Sequence, residues 1–329
     1  MGTYIVRRVF AMLALLVVLS IVVFLLFAAL PTNPAALTCG KQCTPQVIRQ
    51  NEIRLGYDKP IHVQYANFAK AIFVGRTYGS GTQTFECPAP CLGYSFFRGE
   101  NVTTLIAARI PVSAVEAVGA FVLWMVGGIL VGVIAALRRG KWQDRGSMSL
   151  ALVGYSFPSF FIGLVLLYFV VFRFKIMDYP AYSSFASDPE AWLKSFILPW
   201  ITLAVLYAAL YARLTRNQML DTMGEDYIRT ARAKGLSERV VVGKHGLRAG
   251  LTPIVTAAGL DLSALLGGAV ITETVFGLPG LGKLTLESVL NSDLPTMTAC
   301  VLVIAFFVVV ANLVVDLLYA VIDPRVRLG

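Results

Sequence analysis

Apolar residues fall into six long runs along this chain, roughly 9–30, 112–137, 148–172, 197–212, 251–273 and 297–321. Polar and apolar positions mix freely between them. A run of about 20 apolar residues is long enough to cross the hydrocarbon core of a bilayer as a helix. The pattern therefore predicts an all-α membrane protein with six transmembrane helices. The first run follows Arg7 and Arg8, as the apolar core of a signal peptide would. It exceeds the roughly 7–15 residues of such a core, and five more spans follow, so it predicts a retained helix. Composition agrees: 57% hydrophobic and 14% charged residues, with mean hydropathy +0.72, make a chain too apolar for an ordinary soluble domain.

The net charge of +9 raises the question of a nucleic-acid partner, and the distribution of that charge answers it. With both ends inside, the short cytoplasmic segments carry 16 Lys and Arg residues. The two short outer loops carry 4: Arg173, Lys175, Lys194 and Lys283. Long loops barely influence orientation, so the basic residues of 31–111 are set aside. The bias predicts an N-in, C-in topology and makes the charge mainly an orientation signal. The bilayer is the implied partner, and nucleic acid is not.

The segment 31–111 is too long for a simple connector. Leu30-Pro31-Thr32-Asn33-Pro34 stops the first helix, and helical stretches are expected near Pro45–Leu55 and over Ile61–Phe73. The second of these places Ile61, Tyr65, Phe68 and Ile72 near one face, as in a helix lying on a membrane or over a pore mouth. Gly79-Ser80-Gly81-Thr82 reads as a flexible tip. Cys39, Cys43, Cys87 and Cys91 form two C-x3-C pairs. Thiols facing an oxidising compartment usually pair, and four cysteines allow three connectivities. Two short loops, two cross-links between the segments, and a four-thiolate zinc site are all open at this point. Cys300 lies in the last run as packing, and the sequon-like Asn101-Val102-Thr103 is treated as chance.

Within the spans, Gly128-x3-Gly132 and Gly267-Gly268 offer small surfaces for close helix packing. Charged residues there are costly unless they face protein or water. Glu116, Asp261 and Asp316 are the candidates, the first and last nearer span ends. Asp261, with Ser263, Gly267 and Gly268 after it, is the pathway candidate; a carboxylate bonded to a neighbouring helix is the alternative.

The residues for catalysis are missing. His62 and His245 are the only histidines and fall on opposite sides of the membrane, so no His-based triad or metal site can be assembled. Gly277-Leu278-Pro279-Gly280-Leu281-Gly282-Lys283 matches the first part of a phosphate-binding loop, but Leu284 stands where Ser or Thr should hold magnesium. The segment also follows a membrane helix instead of a strand, which predicts a turn. The basic stretch 213–250 has positive logic instead. Tyr227, Thr230, Ala231 and Lys234 are spaced to share one helical face. Gly235 should stop that helix and let a second begin at Ser237. Such an elbow can pass rigid-body motion to the spans on either side.

Asp226-Tyr227-Ile228-Arg229-Thr230-Ala231-Arg232-Ala233-Lys234-Gly235-Leu236 resembles the coupling loop of ABC importer permeases, in the form used by the dipeptide, oligopeptide and nickel group. The resemblance extends over nearly the whole chain. It includes Tyr4–Arg8, Leu55–Ile61 with Gln64-Tyr65, Arg109–Ser113, Ser156-x-Pro158-x-Phe160 with Gly163, and Asp323-Pro324-Arg325. The sharpest match is Thr272-Glu273-Thr274-Val275-Phe276-Gly277-Leu278-Pro279-Gly280-Leu281-Gly282. The chain departs from the group in Thr32-Asn33, in Asp261 where an uncharged amide is common, and in its longer cysteine-bearing loop.

The resemblance implies a type I ABC importer permease fold with an enlarged outer loop, similar to the B-type permeases of the group. It divides the chain into 1–30, an extracytoplasmic subdomain at 31–111, and a five-helix core at 112–329 that includes 213–250. It implies a homologous second permease, two cytoplasmic ATPases and an extracytoplasmic solute-binding protein, in a prokaryotic cell membrane. ATP and magnesium would sit on the ATPases, and no cofactor on this chain. Peptides are the implied cargo, with nickel chelates or another small solute as alternatives. A proton-coupled carrier using Glu116, Asp261 and Asp316, or a membrane-anchored scaffold, is the reading from a different class. Glu273, Phe276, Pro279, Gly280 and Gly282 mark the outer turn, expected to cap a short helix at the outer end of the fifth span.

Overall fold

A computed structural model of the chain describes residues 2–28, 35, 44–80, 83–266 and 269–322. Cys39, Cys43, Gly267 and Gly268 lie outside the described residues, as do Asp323–Arg325. The chain divides into two compact units. One comprises Met1–Ser113 and Pro279–Val310, the other Ala114–Leu278 and Ala311–Gly329. Four helices are long and apolar enough to cross a membrane, six spans if each of two bent helix pairs counts as one.

In the first unit, helix α1 (Gly2–Ala28) has no charged residue after Arg8, and only 6% of its apolar window is buried by protein. That exposure suits a helix bathed in lipid. Helix α2 (Pro45–Leu55) starts with Thr44 in extended backbone and Pro45 in the first turn, where no N–H is needed. Gly56, at φ +79°, ends it, and Tyr57 N–H bonds back to Glu52 O at 2.9 Å. Helix α3 (Ile61–Val74) follows at once.

Of the expected flexible tip, Gly79 and Ser80 end a strand, and Gly81 and Thr82 lie outside the described residues. Strands β1 (Arg76–Ser80) and β2 (Gln83–Cys87) pair antiparallel from Arg76 opposite Cys87 to Ser80 opposite Gln83. A second short ladder joins β3 (Tyr94–Ser95) to β4 (Glu100–Asn101). Neither ladder was legible in the sequence: Gly79 and Ser80 break the first strand's pattern, and the second ladder has only two residues a side. The rings of Tyr78 and Phe85 cluster with Tyr94 and Phe96, with Phe85 stacked on Tyr94 at 4.8 Å and Tyr94 edge-on to Phe96 at 5.0 Å.

Cys87 and Cys91 form a disulfide, buried against Ala71 of α3. This selects the short C-x3-C loop for that pair. It also removes those two sulfurs from any cross-link to 39–43 and from a zinc site.

Helix α4 (Val102–Leu137) starts ten residues before its apolar run and carries Pro111 inside. The extra turns have a packing reason. Val102, Leu105 and Ile106 are buried with Leu281 and Leu284 of α12 (Leu281–Leu290) and with Ala299 and Cys300 of α13 (Leu294–Ile322). Ser113 Oγ accepts the backbone N–H of Leu281 at 2.8 Å, which satisfies a free donor in the first turn of α12. Asp293 accepts from Ser95 at 2.5 Å and Thr296 at 2.6 Å, and Arg98 pairs with Glu287 at 2.6 Å.

In the second unit, α5 (Trp142–Ser156) and α6 (Ser159–Leu166) form a bent helix pair, continued by a π-helical turn over Leu167–Arg173. The bend falls at Phe157-Pro158, where proline forces Phe157 into extended backbone (φ −96°, ψ 137°). Helix α7 (Pro189–Met223) is much longer than the apolar run at its centre. Segment 251–273 is likewise two helices: the end of α10 (Arg248–Leu266) and α11 (Val270–Phe276). Trp124, Tyr211, Leu203, Ile254 and Ala258 form the buried core.

The Gly-x3-Gly reading holds: a Cβ at Gly128 would strike Tyr211 and one at Gly132 would strike Thr215 and the Ala212 carbonyl. Gly132→Leu should overpack this contact by ~1–3 kcal/mol and lower the melting temperature of the detergent-purified protein. Gly127→Leu, with nothing within 4 Å of its Cβ, should not. Equal melting of the two variants would refute the close approach. Peptide mapping without reductant should recover Cys87 joined to Cys91, and alkylation of both would contradict the loop.

Candidate functional site

The basic stretch builds an elbow in three steps. Gly224 closes α7, its N–H bonded to Asp221 O at 3.1 Å. Helix α8 (Asp226–Ala233) then starts from Glu225 in extended backbone, with Asp226 in the first turn where a negative charge suits the helix dipole. Gly235, at φ +76°, ends it, its N–H bonded to Arg232 O at 2.9 Å. Ser237 turns the chain into α9 (Glu238–Val240), a π-helical turn over Val241–Leu247, and α10.

An eight-residue helix has little stability of its own. Ile228 and Ala231 hold this one by burial against Val241, with Met223 packed beside them. Gly246 permits that packing, since a Cβ there would come within 3.0 Å of Met223 Sδ. Arg232 bridges the bend to Glu238 through two bonds, at 2.7 and 3.0 Å. Both partners are exposed, so the pair contributes little energy and mainly fixes an angle.

The expected face is therefore split. Ala231 points inward, because residues 228 and 231 are three apart and share the buried stripe. Tyr227, Arg229, Thr230, Arg232, Ala233, Lys234 and Leu236 are exposed, as is Asp226. Tyr227 (44% exposed) and Leu236 (41%) are large apolar groups set among basic ones, joined by Val240. Such mixed, accessible surface suits a protein partner. Val240 and the buried Ile228–Val241 contact were not singled out from sequence, although apolar residues in so polar a stretch are the signal.

A second feature had no sequence signal at all. Arg216, near the end of α7, makes two bonds to Asp144 at the start of α5, at 2.5 and 2.9 Å. Asp144 also accepts the Gly140 N–H at 2.9 Å. This clamp fixes the end of α7 from which the elbow departs.

Of the pathway candidates, Asp261 and Ser263 are among the described residues and Gly267 and Gly268 are not. Asp261 accepts the Tyr211 hydroxyl at 2.6 Å, which is the neighbouring-helix alternative. Ser263 is buried and donates to Gly259 O in its own helix at 2.6 Å. Glu116 is fully buried, and neither of its carboxyl oxygens has a hydrogen-bond partner. Glu273 and Phe276 are also buried, and α11 ends at Gly277 in left-handed backbone (φ +70°). Gly280 and Gly282 are buried and Pro279 half-buried at the start of α12. A helix precedes Gly277–Lys283, so the segment is a turn between helices. Among the described residues, no group of three or more His, Cys, Asp or Glu side chains could hold a metal ion.

The pattern that defines the binding-protein-dependent transport system inner membrane component family matches residues 128–328, and that of its N-terminal part matches residues 1–117. The chain belongs to this family. It is 38% identical over 329 residues to a putative peptide transport system permease protein of Brucella abortus (strain 2308), covering 99% of each chain. A probable peptide ABC transporter permease of Sinorhizobium fredii is 35% identical over 327 residues, covering 99% of this chain and all of that one. A glutathione transport system permease of Salmonella typhi is 36% identical over 327 residues, covering 99% of each. The inward-facing MetNI methionine ABC transporter shares the fold, with a TM-score of 0.54 and 18% identity over 67% of this chain and 97% of that one. This permease is a multi-pass inner-membrane protein.

The Asp144–Arg216 clamp makes a sign test possible. Removing only the cation leaves a carboxylate without its partner, which is worse than removing both charges. Arg216→Met should therefore melt at a lower temperature than the double variant Asp144→Asn/Arg216→Met. The reverse order would show that the pair does not hold α5 to α7.

Proposed function

We propose that this permease is one half of the translocation pathway of an ATP-driven peptide importer, and that Asp226–Leu236 is the surface its ATPases grip. The observation that carries the second part is the elbow: an exposed Tyr227–Leu236 face on a helix anchored by Ile228, Ala231 and Val241. The peptide cargo rests on the names of full-length relatives at 35–38% identity. In this reading a homologous permease supplies the other half, and two cytoplasmic ATPases hold ATP and magnesium. A solute-binding protein delivers the peptide to the side on which 31–111 lies. The chain has six spans, counting each bent pair once, with both ends inside. It catalyses no reaction and binds no cofactor, and 112–329 forms the core.

ATP binding closes the ATPases and moves the elbow, and the spans follow from inward-open to outward-open. Equal affinity for both states would move nothing; a shift from 1:99 to 99:1 takes about 5.5 kcal/mol of differential binding. Asp261, Ser263, Gly267 and Gly268 remain the pathway proposal, with Asp261 oriented by Tyr211. One observation favours a different class: buried Glu116, with no partner for either oxygen, suits a proton-coupled carrier. That reading requires uptake by this chain alone, without ATP.

Lys234→Glu reverses charge on the exposed face. It should lower co-purification of the ATPases and ATP-dependent peptide uptake by about tenfold, the loss of one charged contact, with membrane level and melting unchanged. Gly235→Arg forces a bulky residue into left-handed backbone and should abolish uptake. Ala231→Glu should fail by another route, losing thermal stability because it buries a carboxylate. Full uptake by Gly235→Arg, or uptake by the chain reconstituted alone, would overturn the proposal.

A further inference from the structure

The apolar window of α1, Val6–Phe27, is 22 residues long. At ~1.5 Å per residue it measures about 33 Å, close to the ~30 Å of a hydrocarbon core, so Phe27 lies near one boundary of that core. Helix α3 touches α1 short of that boundary. Phe24 packs on Tyr65 at 5.5 Å and on Phe68 at 5.8 Å. The Ser20 and Tyr65 hydroxyls share a hydrogen bond at 2.7 Å. Counting back from Phe27, Phe24 lies about 4–5 Å inside the boundary and Ser20 about 10 Å inside it. Tyr65 and Phe68 stand one turn apart on α3 and meet the same ring, which puts the middle of α3 near the level of Phe24. Amphipathic helices that rest in a membrane interface bury one face to about 5–10 Å.

The other contacts of α3 decide which side is left for lipid. The face read from the sequence, with Tyr65 and Phe68, is taken up by α1. Gln64 and Asn67 line a cavity of about 320 Å3 whose wall includes Tyr78 of the hairpin. Ala71 is buried against the Cys87–Cys91 disulfide, and its carbonyl accepts the N–H groups of Gly75 at 2.9 Å and Cys91 at 3.2 Å. Held on three sides, the helix cannot roll. The remaining side carries His62, Ala66, Lys70 and Phe73, spaced four, four and three residues apart and all exposed. Phe73 is 82% exposed and Val74 beside it 70%. No acidic residue occurs between Ile61 and Val74. An apolar pair with a lysine one turn before it suits a headgroup layer: the rings and methyls leave water, and the lysine stem lies along them with its ammonium among the phosphates.

We infer that α3 is a lipid-contact surface. It lies in the headgroup layer at the end of α1 farther from Arg7 and Arg8, with Phe73 and Val74 at the acyl boundary and Lys70 on a lipid phosphate. With the N-terminus inside, this is the outer leaflet. The contact is independent of the cargo and of the ATPases. It seats the segment between α1 and α4 on the bilayer, continuous with the lipid-bathed face of α1.

The test uses the complete importer in nanodiscs and reads the fluorescence that Phe73→Trp adds to wild type. Phe73 is exposed, so the variant should melt as wild type does; Ala66→Trp, two turns earlier on the same side, is a second reporter. Phosphatidylcholine brominated high in its acyl chains should quench the added fluorescence more than phosphatidylcholine brominated near the chain ends. Acrylamide added to the water should quench it less than it quenches free tryptophan. With brominated phosphatidylglycerol the quenching should rise, up to about the fivefold enrichment that one lysine near a surface gives, and Lys70→Glu should remove that rise. Quenching of both reporters by acrylamide as in free tryptophan, with none from brominated lipid, would place this side in water and overturn the inference. Protection from both quenchers would overturn it in favour of a protein partner. Equal quenching by the two brominated lipids before Lys70 is changed would overturn the phosphate contact.

Discussion

Hydrocarbon offers no partner to a backbone N–H or C=O, so every such group inside a membrane must be satisfied within the chain. That constraint explains why the membrane-crossing parts of this permease are helices, and it makes the two exceptions informative. The pair α5–α6 breaks at Phe157-Pro158, and the pair α10–α11 is bent by 57°. Irregular backbone at membrane depth is tolerated only where protein or water covers it. The halves beyond the two breaks supply some of that cover for each other. A Cβ on Gly163 of α6 would come within 3.3 Å of both Val275 and Phe276 of α11. The two bends therefore belong to one local packing solution, and neither is an isolated defect.

Lipid also removes the usual reason for helices to associate, since lipid tails are as apolar as leucine. Close packing has to replace it. Along α4, Gly119, Gly128 and Gly132 lie against Trp200, Tyr211 and Thr215 of α7, bringing the two helices close enough for broad contact. Trp200 adds an indole N–H bond to Val115 O at 3.0 Å, and Trp124 stacks on Tyr207 at 4.5 Å. The position of α7 is thus fixed along much of its length before it reaches the Arg216–Asp144 clamp. The elbow departs from a helix whose end has little freedom to swing.

Much of this was legible in the sequence, for local reasons. Spans announce themselves through some 20 consecutive side chains, which is why four of the runs coincide with long apolar helices and the other two with bent helix pairs. Pro45–Leu55 could be read because Thr44-Pro45 and Gly56 mark its ends, and Gly235 could be read as a stop because only glycine suits φ +76° at no cost. What failed was non-local or ambiguous in phase. A three- and four-residue spacing shows which residues share a face but not which face is buried, so Ala231 was assigned to the exposed stripe and belongs with Ile228. The hairpin at Arg76–Cys87 was hidden because Gly79 and Ser80, which end its first strand, are also the residues of a flexible tip. The Asp144–Arg216 clamp joins positions 72 apart, and nothing near either one marks the other.

The elbow's stiffness follows from how little of it is intrinsic. Eight residues make two turns, too few to persist in water unaided. The salt bridge between Arg232 and Glu238 is exposed and adds little. What remains is the burial of Ile228, Ala231 and Val241, three small or medium side chains with Met223 beside them. That cluster ties α8 to Val241 beyond the backbone connection through Gly235. Val241 opens the π-helical turn that continues into α10, so the cluster meets that helix where its winding is wider. If Asp226–Leu236 is the docking surface proposed above, recognition would rest on its outer side chains and transmission on the inner ones.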